Sequence, residues 1–164
     1  MFRPDYYFCD VTKITLPFLQ QQGITDLILD VDNTLTVDHA TALIPGVADW
    51  LVQMQQGGIR LVILSNAMPG RMAAFAAAVE LPFVGLGLKP LPFGYFRAIQ
   101  RVGGLKKQTA IVGDQIFTDV FGGRLAGCKT VLVAPKKLET SRRFKIKRAL
   151  ERRLLRRYRL PCNF

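Results

Sequence analysis

The sequence predicts an α/β fold in which a parallel sheet is flanked by helices. Short apolar runs, typical of strands buried on both faces, alternate with segments of helical spacing, as in parallel sheets with helical crossovers. The 164 residues are 49% hydrophobic, which suffices for one sizeable core and excludes a disordered chain. Basic residues are concentrated near the C-terminus. We therefore expect one domain over residues 1–135 and a basic helical tail over residues 136–164.

Each element follows from a local pattern. Thr12–Gln22 has the spacing of an N-terminal helix that Gly23 ends. The strand-like runs, in chain order, are Leu27–Val31, Ile59–Leu64, the weaker Phe83–Leu86, Ala110–Val112 and Thr130–Val133. Helical spacing begins shortly after three prolines, Pro45, Pro69 and Pro92.

Polar side chains follow four of these strands, where a parallel sheet binds its ligands. They are Asp30 and Asp32, Ser65 and Asn66, Lys89, and Asp114 with Asp119 beyond it. Carboxylates crowded at one edge repel each other and require a cation. With oxygen ligands and a single histidine in the chain, Mg²⁺ is favoured over zinc.

These polar residues and a bound Mg²⁺ suit phosphoryl transfer, which needs a metal ion and hydrogen-bond donors for the phosphate oxygens. The Asp30 carboxylate can act as nucleophile and form an aspartyl-phosphate. Asp32 can protonate the leaving oxygen and then activate the water that resolves the intermediate. Lys89 supplies positive charge, and Ser65 supplies a donor.

The four segments resemble, in order, the motifs of haloacid dehalogenase (HAD) phosphatases: Asp30-Val31-Asp32-Asn33-Thr34-Leu35, Ser65, Lys89, and Gly113 to Asp119. The match spans residues 27–133. More narrowly, the chain resembles the YqeG family of HAD subclass IIIA, which is similar to mitochondrial phosphatidylglycerophosphate phosphatases. This narrower likeness rests on the lead-in from Asp10-Val11 to Gly23-Ile24, on the four motifs, and on Gly122-Gly123. The resemblance implies a Rossmann-like HAD fold.

The resemblance also implies roles for the motif residues. Asp30 would be the phosphorylated nucleophile, Asp32 the acid/base, and Ser65 and Lys89 the phosphate-binding pair. Mg²⁺ would be held by Asp30, Asp114 and the backbone carbonyl of Asp32, with Asp119 as a weaker ligand. We also expect Thr34 and Asn66 to contact the phosphate. The chain departs from the family pattern at Arg124-Leu125, where Asn-Arg is expected.

Three segments also have simpler interpretations. A calcium loop starting at Asp30 is excluded, because its sixth position is Leu35 instead of glycine and its twelfth is Thr41 instead of glutamate. A dinucleotide fingerprint at Gly85-x-Gly87 lacks its third glycine. Asp119 alone could be a helix cap.

The spacing leaves no room for a cap domain. About ten residues separate Leu35 from Pro45, and the 23 residues between Ser65 and Lys89 are consumed by one helix and one strand. An open site suits a phosphate presented on something large. The sequence therefore predicts a Mg²⁺-dependent phosphomonoester hydrolase, with phosphatidylglycerophosphate the best candidate by resemblance. The alternatives are a basic RNA- or ribosome-associated protein with little catalysis, and a phosphatase of a soluble sugar or nucleotide phosphate.

The positive charge belongs to the tail. Lys136–Arg159 holds twelve basic and two acidic residues, and so carries ten of the eleven net charges. Its apolar and basic residues interleave as in helices that lie on an anionic membrane. The alternatives for the tail are nucleic-acid binding and a plain solvated surface. Without a signal-like start or a disulfide framework, we expect a cytoplasmic protein, peripheral at the inner face of the membrane.

Overall fold

The computed structural model describes residues 1–37, 42–137 and 142–158. Six strands are present in these ranges: β1 (Tyr6–Phe8), β2 (Asp26–Leu29), β3 (Arg60–Leu64), β4 (Phe83–Val84), β5 (Thr109–Gly113) and β6 (Lys129–Val133). They form one parallel sheet in the order β1-β6-β5-β2-β3-β4. The predicted parallel α/β fold is confirmed.

Helices cover both faces of this sheet. They are α1 (Leu16–Gln21), α2 (Val47–Gln56), α3 (Pro69–Ala78), α4 (Pro92–Arg101), α5 (Phe121–Ala126) and α6 (Arg142–Arg157). Buried side chains of α1, α2 and α3 share one core cluster, whereas those of α4 and α5 belong to a second cluster on the other face. Along β2, Leu27 and Leu29 join the first cluster and Ile28 the second, because successive strand residues point to opposite faces.

The N-terminal lead-in differs from its prediction. The single helix expected over Thr12–Gln22 is divided into a 3₁₀ turn, Val11–Lys13, and α1. Thr15 causes the division, since it has extended backbone angles and its side chain accepts a hydrogen bond from Phe18 at the start of α1. Strand β1 was not predicted, because three residues are too few for a recognisable strand pattern.

The sheet order places the site. Strand β2 pairs with β3 on one side and with β5 on the other, so the chain leaves the carboxyl ends of β2 and β5 in different directions. Such a switch point opens a crevice beside those ends. The predicted motif residues after β2 and β5 flank this crevice.

The described residues contain no cap domain, as predicted. After β2 the chain makes two isolated bridges, Asp32 with Thr36 and Thr36 with Leu43, before α2 begins. Between β3 and Lys89 it forms only α3 and β4. Among the described residues, no inserted domain therefore separates the crevice from solvent.

The basic tail contributes α6, which packs against the domain. Leu155 is buried in a cluster with Ile116, Val120 and Leu132. The domain thus covers part of the apolar surface of α6, because Leu155 packs inward while Ile146 and Leu150 remain exposed. The predicted association of the tail with a membrane stays a prediction. Residues 138–141 and 159–164 of the predicted tail lie outside the described residues, and the domain boundary at residue 135 stays a prediction. Among the described helices, none has the length and apolar character needed to cross a membrane.

Candidate active site

Asp30 and Asp32 reach the same rim because the chain turns tightly after β2. Asp30 extends the strand, since its amide donates to the carbonyl of Val112 in β5 at 2.9 Å. The amides of residues 34–36 then all donate to the carbonyl of Val31, at 2.9–3.2 Å. The loop wraps around this one oxygen, so two aspartates two positions apart face one crevice.

A cavity of about 90 Å³ gathers most of the predicted site. Its lining consists of Asp30, Asp32, Ser65, Asn66, Lys89, Gln115 and Thr118. The first five were predicted from three different strand ends. The structure therefore brings together the proposed nucleophile, the proposed acid/base and three of the four predicted phosphate-binding residues.

Lys89 forms the centre of the charged network. Its ammonium donates to Asp30 Oδ1 at 2.6 Å and to Asp119 Oδ1 at 2.7 Å, and its side chain is only 4% exposed. Burial alone would lower the pKa of Lys89, but the charges of Asp119 and Asp30 outweigh it and raise this pKa above its usual value. Lys89 is therefore a fixed cation that touches the proposed nucleophile.

Asn66 holds Lys89 in place through the main chain. Its Oδ1 accepts from the Lys89 amide at 2.8 Å, and its Nδ2 donates to the Lys89 carbonyl at 3.0 Å. The hydroxyl of Ser65 accepts from the amide of Ala67 at 3.0 Å and lies in the cavity wall. A direct contact of Asn66 or Ser65 with phosphate stays a prediction.

A short π-helix, Ile116–Val120, returns Asp119 to the site after β5. The amides of Asp119 and Val120 both donate to the carbonyl of Gln115, and the Gln115 amide donates to Asp119 Oδ2 at 3.1 Å. Asp119 packs so closely on β5 that a Cβ at Gly113 would lie 2.3 Å from its carboxyl group. Contacts with Gln115 and Gly113 thus hold the Asp119 carboxylate in place at the site.

Asp30, Asp114 and Asp119 are buried together. One carboxylate oxygen of each lies within 4.8 Å of the others. Burial, only partly offset by Lys89, raises the pKa of Asp30 to about 6. Burial likewise raises the pKa of Asp114 well above its usual value, although the charge of Arg148 opposes this. Burial therefore disfavours the ionised forms of Asp30 and Asp114.

Two further observations fit a divalent cation. The buried Asp114 Oδ1 has no hydrogen-bond partner among the described residues. All candidate ligands are oxygens, as Mg²⁺ prefers.

Two predicted residues lie apart from the carboxylate cluster. The carboxylate of Asp32 is not in the cluster and pairs with Arg71. A contribution of the Asp32 backbone carbonyl to a metal site stays a prediction. The hydroxyl of Thr34 is buried and has no hydrogen-bond partner among the described residues. Thr34 does not line the cavity, and its contact with phosphate stays a prediction.

Three charged residues that contact the site were not predicted. Arg71 in α3 pairs with Asp32, while Arg148 and Glu151 in α6 contact the segment after β5. Their contacts with the site could not be predicted, because no local sequence pattern distinguishes them from the other charged residues of their helices. At the departure from the family pattern, Arg124 donates to the carbonyl of Arg3 and to the carboxylate of Asp5. It therefore contacts the N-terminal segment.

Comparisons with known proteins agree with this geometry. Residues 7–127 match the family model of the haloacid dehalogenase-like hydrolases. The chain is 30% identical over 154 residues to the "Probable phosphatase YqeG" of Bacillus subtilis, covering 94% of this chain and 90% of that protein.

Solved structures share the fold. A putative haloacid dehalogenase-like hydrolase from Bacteroides fragilis aligns with a TM-score of 0.59 at 17% identity, over 76% of this chain and 93% of the other. The cobalt-bound deoxy-D-mannose-octulosonate 8-phosphate phosphatase YrbI from Haemophilus influenzae aligns with a TM-score of 0.57 at 18% identity, over 84% and 90%. At these identities the likeness concerns the fold alone.

Proposed function

The chain belongs to the haloacid dehalogenase-like hydrolase family as a YqeG-like phosphatase, and on that premise we propose that it hydrolyses phosphomonoesters with Mg²⁺ through an aspartyl-phosphate on Asp30. The observation that carries the proposal is the buried Lys89 ammonium between Asp30 and Asp119, beside the unpartnered oxygen of Asp114. This arrangement combines a nucleophile, a fixed cation and a set of cation ligands.

The first half-reaction transfers the phosphoryl group to Asp30. Lys89 donates a hydrogen bond to Asp30 Oδ1, so Asp30 Oδ2 is the oxygen that attacks phosphorus. As the new O–P bond forms, the bond to the leaving oxygen breaks and Asp32 gives that oxygen its proton. Lys89 and Ser65 stabilise the charge on the phosphoryl oxygens.

The second half-reaction restores the enzyme. Asp32 takes a proton from a water molecule, the water oxygen bonds to phosphorus, and the Asp30–phosphorus bond breaks to release inorganic phosphate. Mg²⁺, held by Asp30, Asp114 and Asp119 with the carbonyl of Asp32, would neutralise the approaching phosphate. Each proton that Asp32 donates is regained in this step.

Exposed apolar side chains favour a lipid substrate. Five of them, at 48–72% exposure, lie on the loops that follow β3 and β4 and at the start of α4: Met68, Leu86, Leu88, Leu91 and Phe93. The two loops touch each other, since the Gly87 amide donates to the Ser65 carbonyl at 2.9 Å. They also carry Ser65 and Lys89. We call these five residues the apolar rim.

An apolar rim on loops that also carry Ser65 and Lys89 matches a phosphate presented at a bilayer surface. Contiguous exposed apolar residues mark interaction surfaces, and side chains of this kind can enter the headgroup region. The outward face of α6 adds positive charge through Lys145, Arg153, Arg156 and Arg157, which anionic lipids attract. We therefore propose a lipid phosphomonoester as substrate, with phosphatidylglycerophosphate the best candidate.

Phosphate release tests the activity. The full chain with Mg²⁺ is expected to release phosphate from phosphatidylglycerophosphate in anionic vesicles faster than from a soluble sugar or nucleotide phosphate, and Asp30→Asn is expected to abolish both reactions. Equal rates for the wild type and Asp30→Asn would overturn the catalytic proposal. A preference for the soluble esters would leave catalysis intact and exclude the lipid.

Vesicle flotation tests the rim separately. The double variant Leu88→Ser/Phe93→Ser is expected to lose most vesicle binding. Leu105→Ser is the matched control, because Leu105 is as exposed as Phe93, at 63%, but lies just before the amino end of β5. Salt-sensitive RNA binding with no flotation would instead favour the nucleic-acid alternative.

A further inference from the structure

Helix α6 reaches into the carboxylate cluster through Arg148. The guanidinium of Arg148 is 3% exposed and donates from Nη1 to the Asp114 carbonyl at 2.7 Å. Its Nη2 donates to Asp114 Oδ2. One side chain from the tail therefore holds both the main chain and the side chain of a residue in the proposed cation site.

Glu151, one helical turn further on, attaches α6 to the next segment. Its Oε1 accepts from the amide of Ile116 at 2.8 Å and more weakly from that of Phe117 at 3.4 Å. Its Oε2 accepts from Arg148 at 3.0 Å. These amides begin the π-helix that carries Asp119. Helix α6 thus contacts both segments that supply the ligands after β5.

We propose that Arg148 is a positioning residue of the cation site, which acts by fixing Asp114. Arg148 engages Oδ2 and leaves Oδ1, the atom without a partner among the described residues, as the ligand. The inference rests on the proposed function, since it takes the cation to lie among Asp30, Asp114 and Asp119. It makes the basic tail part of the active site.

Two physical roles of Arg148 predict opposite results. If Arg148 were simply a neighbouring positive charge, it would repel a cation, and its removal would tighten metal binding. If it orients Asp114, its removal frees a buried carboxylate to rotate away and weakens metal binding. Loss of a partner that orients a metal ligand typically costs about 10–100-fold in affinity or activity.

The experiment measures Mn²⁺ binding to the full chain by electron paramagnetic resonance, with Mg²⁺ as competitor and no substrate present. Arg148→Gln is expected to weaken binding about tenfold or more, and Arg148→Lys is expected to recover part of the loss. Arg101→Gln removes the same charge from an exposed position of α4 and is expected to bind like the wild type. Thermal melting of each variant is recorded in parallel.

A structural control separates positioning from folding. Leu19→Ala removes a fully buried side chain of α1 from the first core cluster, which among the described residues includes none of α6, and is expected to lower the melting temperature while retaining Mn²⁺ affinity. The inference is overturned if Arg148→Gln binds Mn²⁺ as tightly as the wild type or more tightly, or if Leu19→Ala weakens binding equally. If Arg148→Gln does not fold, Arg148→Lys compared with Leu19→Ala decides in the same way. Failure of the wild type to bind Mn²⁺ would contradict the proposed cation site itself.

Discussion

Arg71 donates hydrogen bonds to both carboxylate oxygens of Asp32, from Nη2 to Oδ1 at 2.6 Å and from Nη1 to Oδ2 at 3.0 Å. Asp32 follows β2, whereas Arg71 lies in the first turn of α3. Both side chains are partly exposed, at 28% for Arg71 and 23% for Asp32. The proposed acid/base is thereby oriented from an element outside the four motifs.

Replacement of Arg71 is expected to impair proton transfer more than substrate binding. Arg71→Met removes the two-point contact and lets Asp32 rotate, so kcat should fall about 10–100-fold while KM changes less. Arg71→Lys keeps the charge but not the paired geometry and should recover only part of the rate. Steady-state kinetics with a soluble phosphomonoester measure this. Arg101→Met, an exposed arginine of α4, should behave like the wild type, and an equal loss there would contradict the assignment.

The sequence predicted the residues whose position follows from the sheet alone. Asp30, Ser65, Lys89 and Asp114 follow parallel strands, and the carboxyl ends of parallel strands meet at one edge. Arg71, Arg148 and Glu151 could not be predicted this way, because their partners depend on how α3 and α6 dock. An arginine buried by an ion pair and one exposed to solvent have the same helical spacing.

Gly113 is expected to tolerate no side chain. A Cβ at this position would lie 2.3 Å from the Asp119 carboxyl group and would push it away from Lys89. Gly113→Ala should therefore lower kcat/KM about 100-fold or more and reduce thermal stability. Gly70→Ala is the matched control, since nothing lies within 4 Å of a Cβ there and alanine favours a helix by up to about 1 kcal/mol. Equal activities of the two variants would contradict the packing argument.

The tail is expected to contribute to the stability of the domain. Leu155 is fully buried and Leu150, on the same helix, is 51% exposed. Leu155→Ala should lower the free energy of unfolding by about 2–5 kcal/mol, because it removes buried methyl groups and leaves a cavity. Leu150→Ala should change it by no more than about 0.5 kcal/mol. Urea denaturation of the full chain measures both, and similar values would show that α6 is not packed as described.

Stabilisation by Mg²⁺ is expected to increase with pH. The pKa of Asp30, raised by burial to about 6, exceeds the value of about 3.9 for an exposed aspartate, so the metal-free folded state loses stability as pH rises through that interval. A cation binds the deprotonated carboxylate, and below pH 6 it must first displace the proton. The melting-temperature gain with Mg²⁺ should therefore be small at pH 5 and several-fold larger at pH 7.5, and the raised pKa of Asp114 acts in the same direction.

Scanning fluorimetry between pH 5 and pH 7.5 measures this melting-temperature gain. Asp30→Asn should show a small gain at every pH, whereas Asp49→Asn, on the exposed side of α2, should follow the wild type. A wild-type gain that is equal at both pH values would show that the cation does not compete with the Asp30 proton.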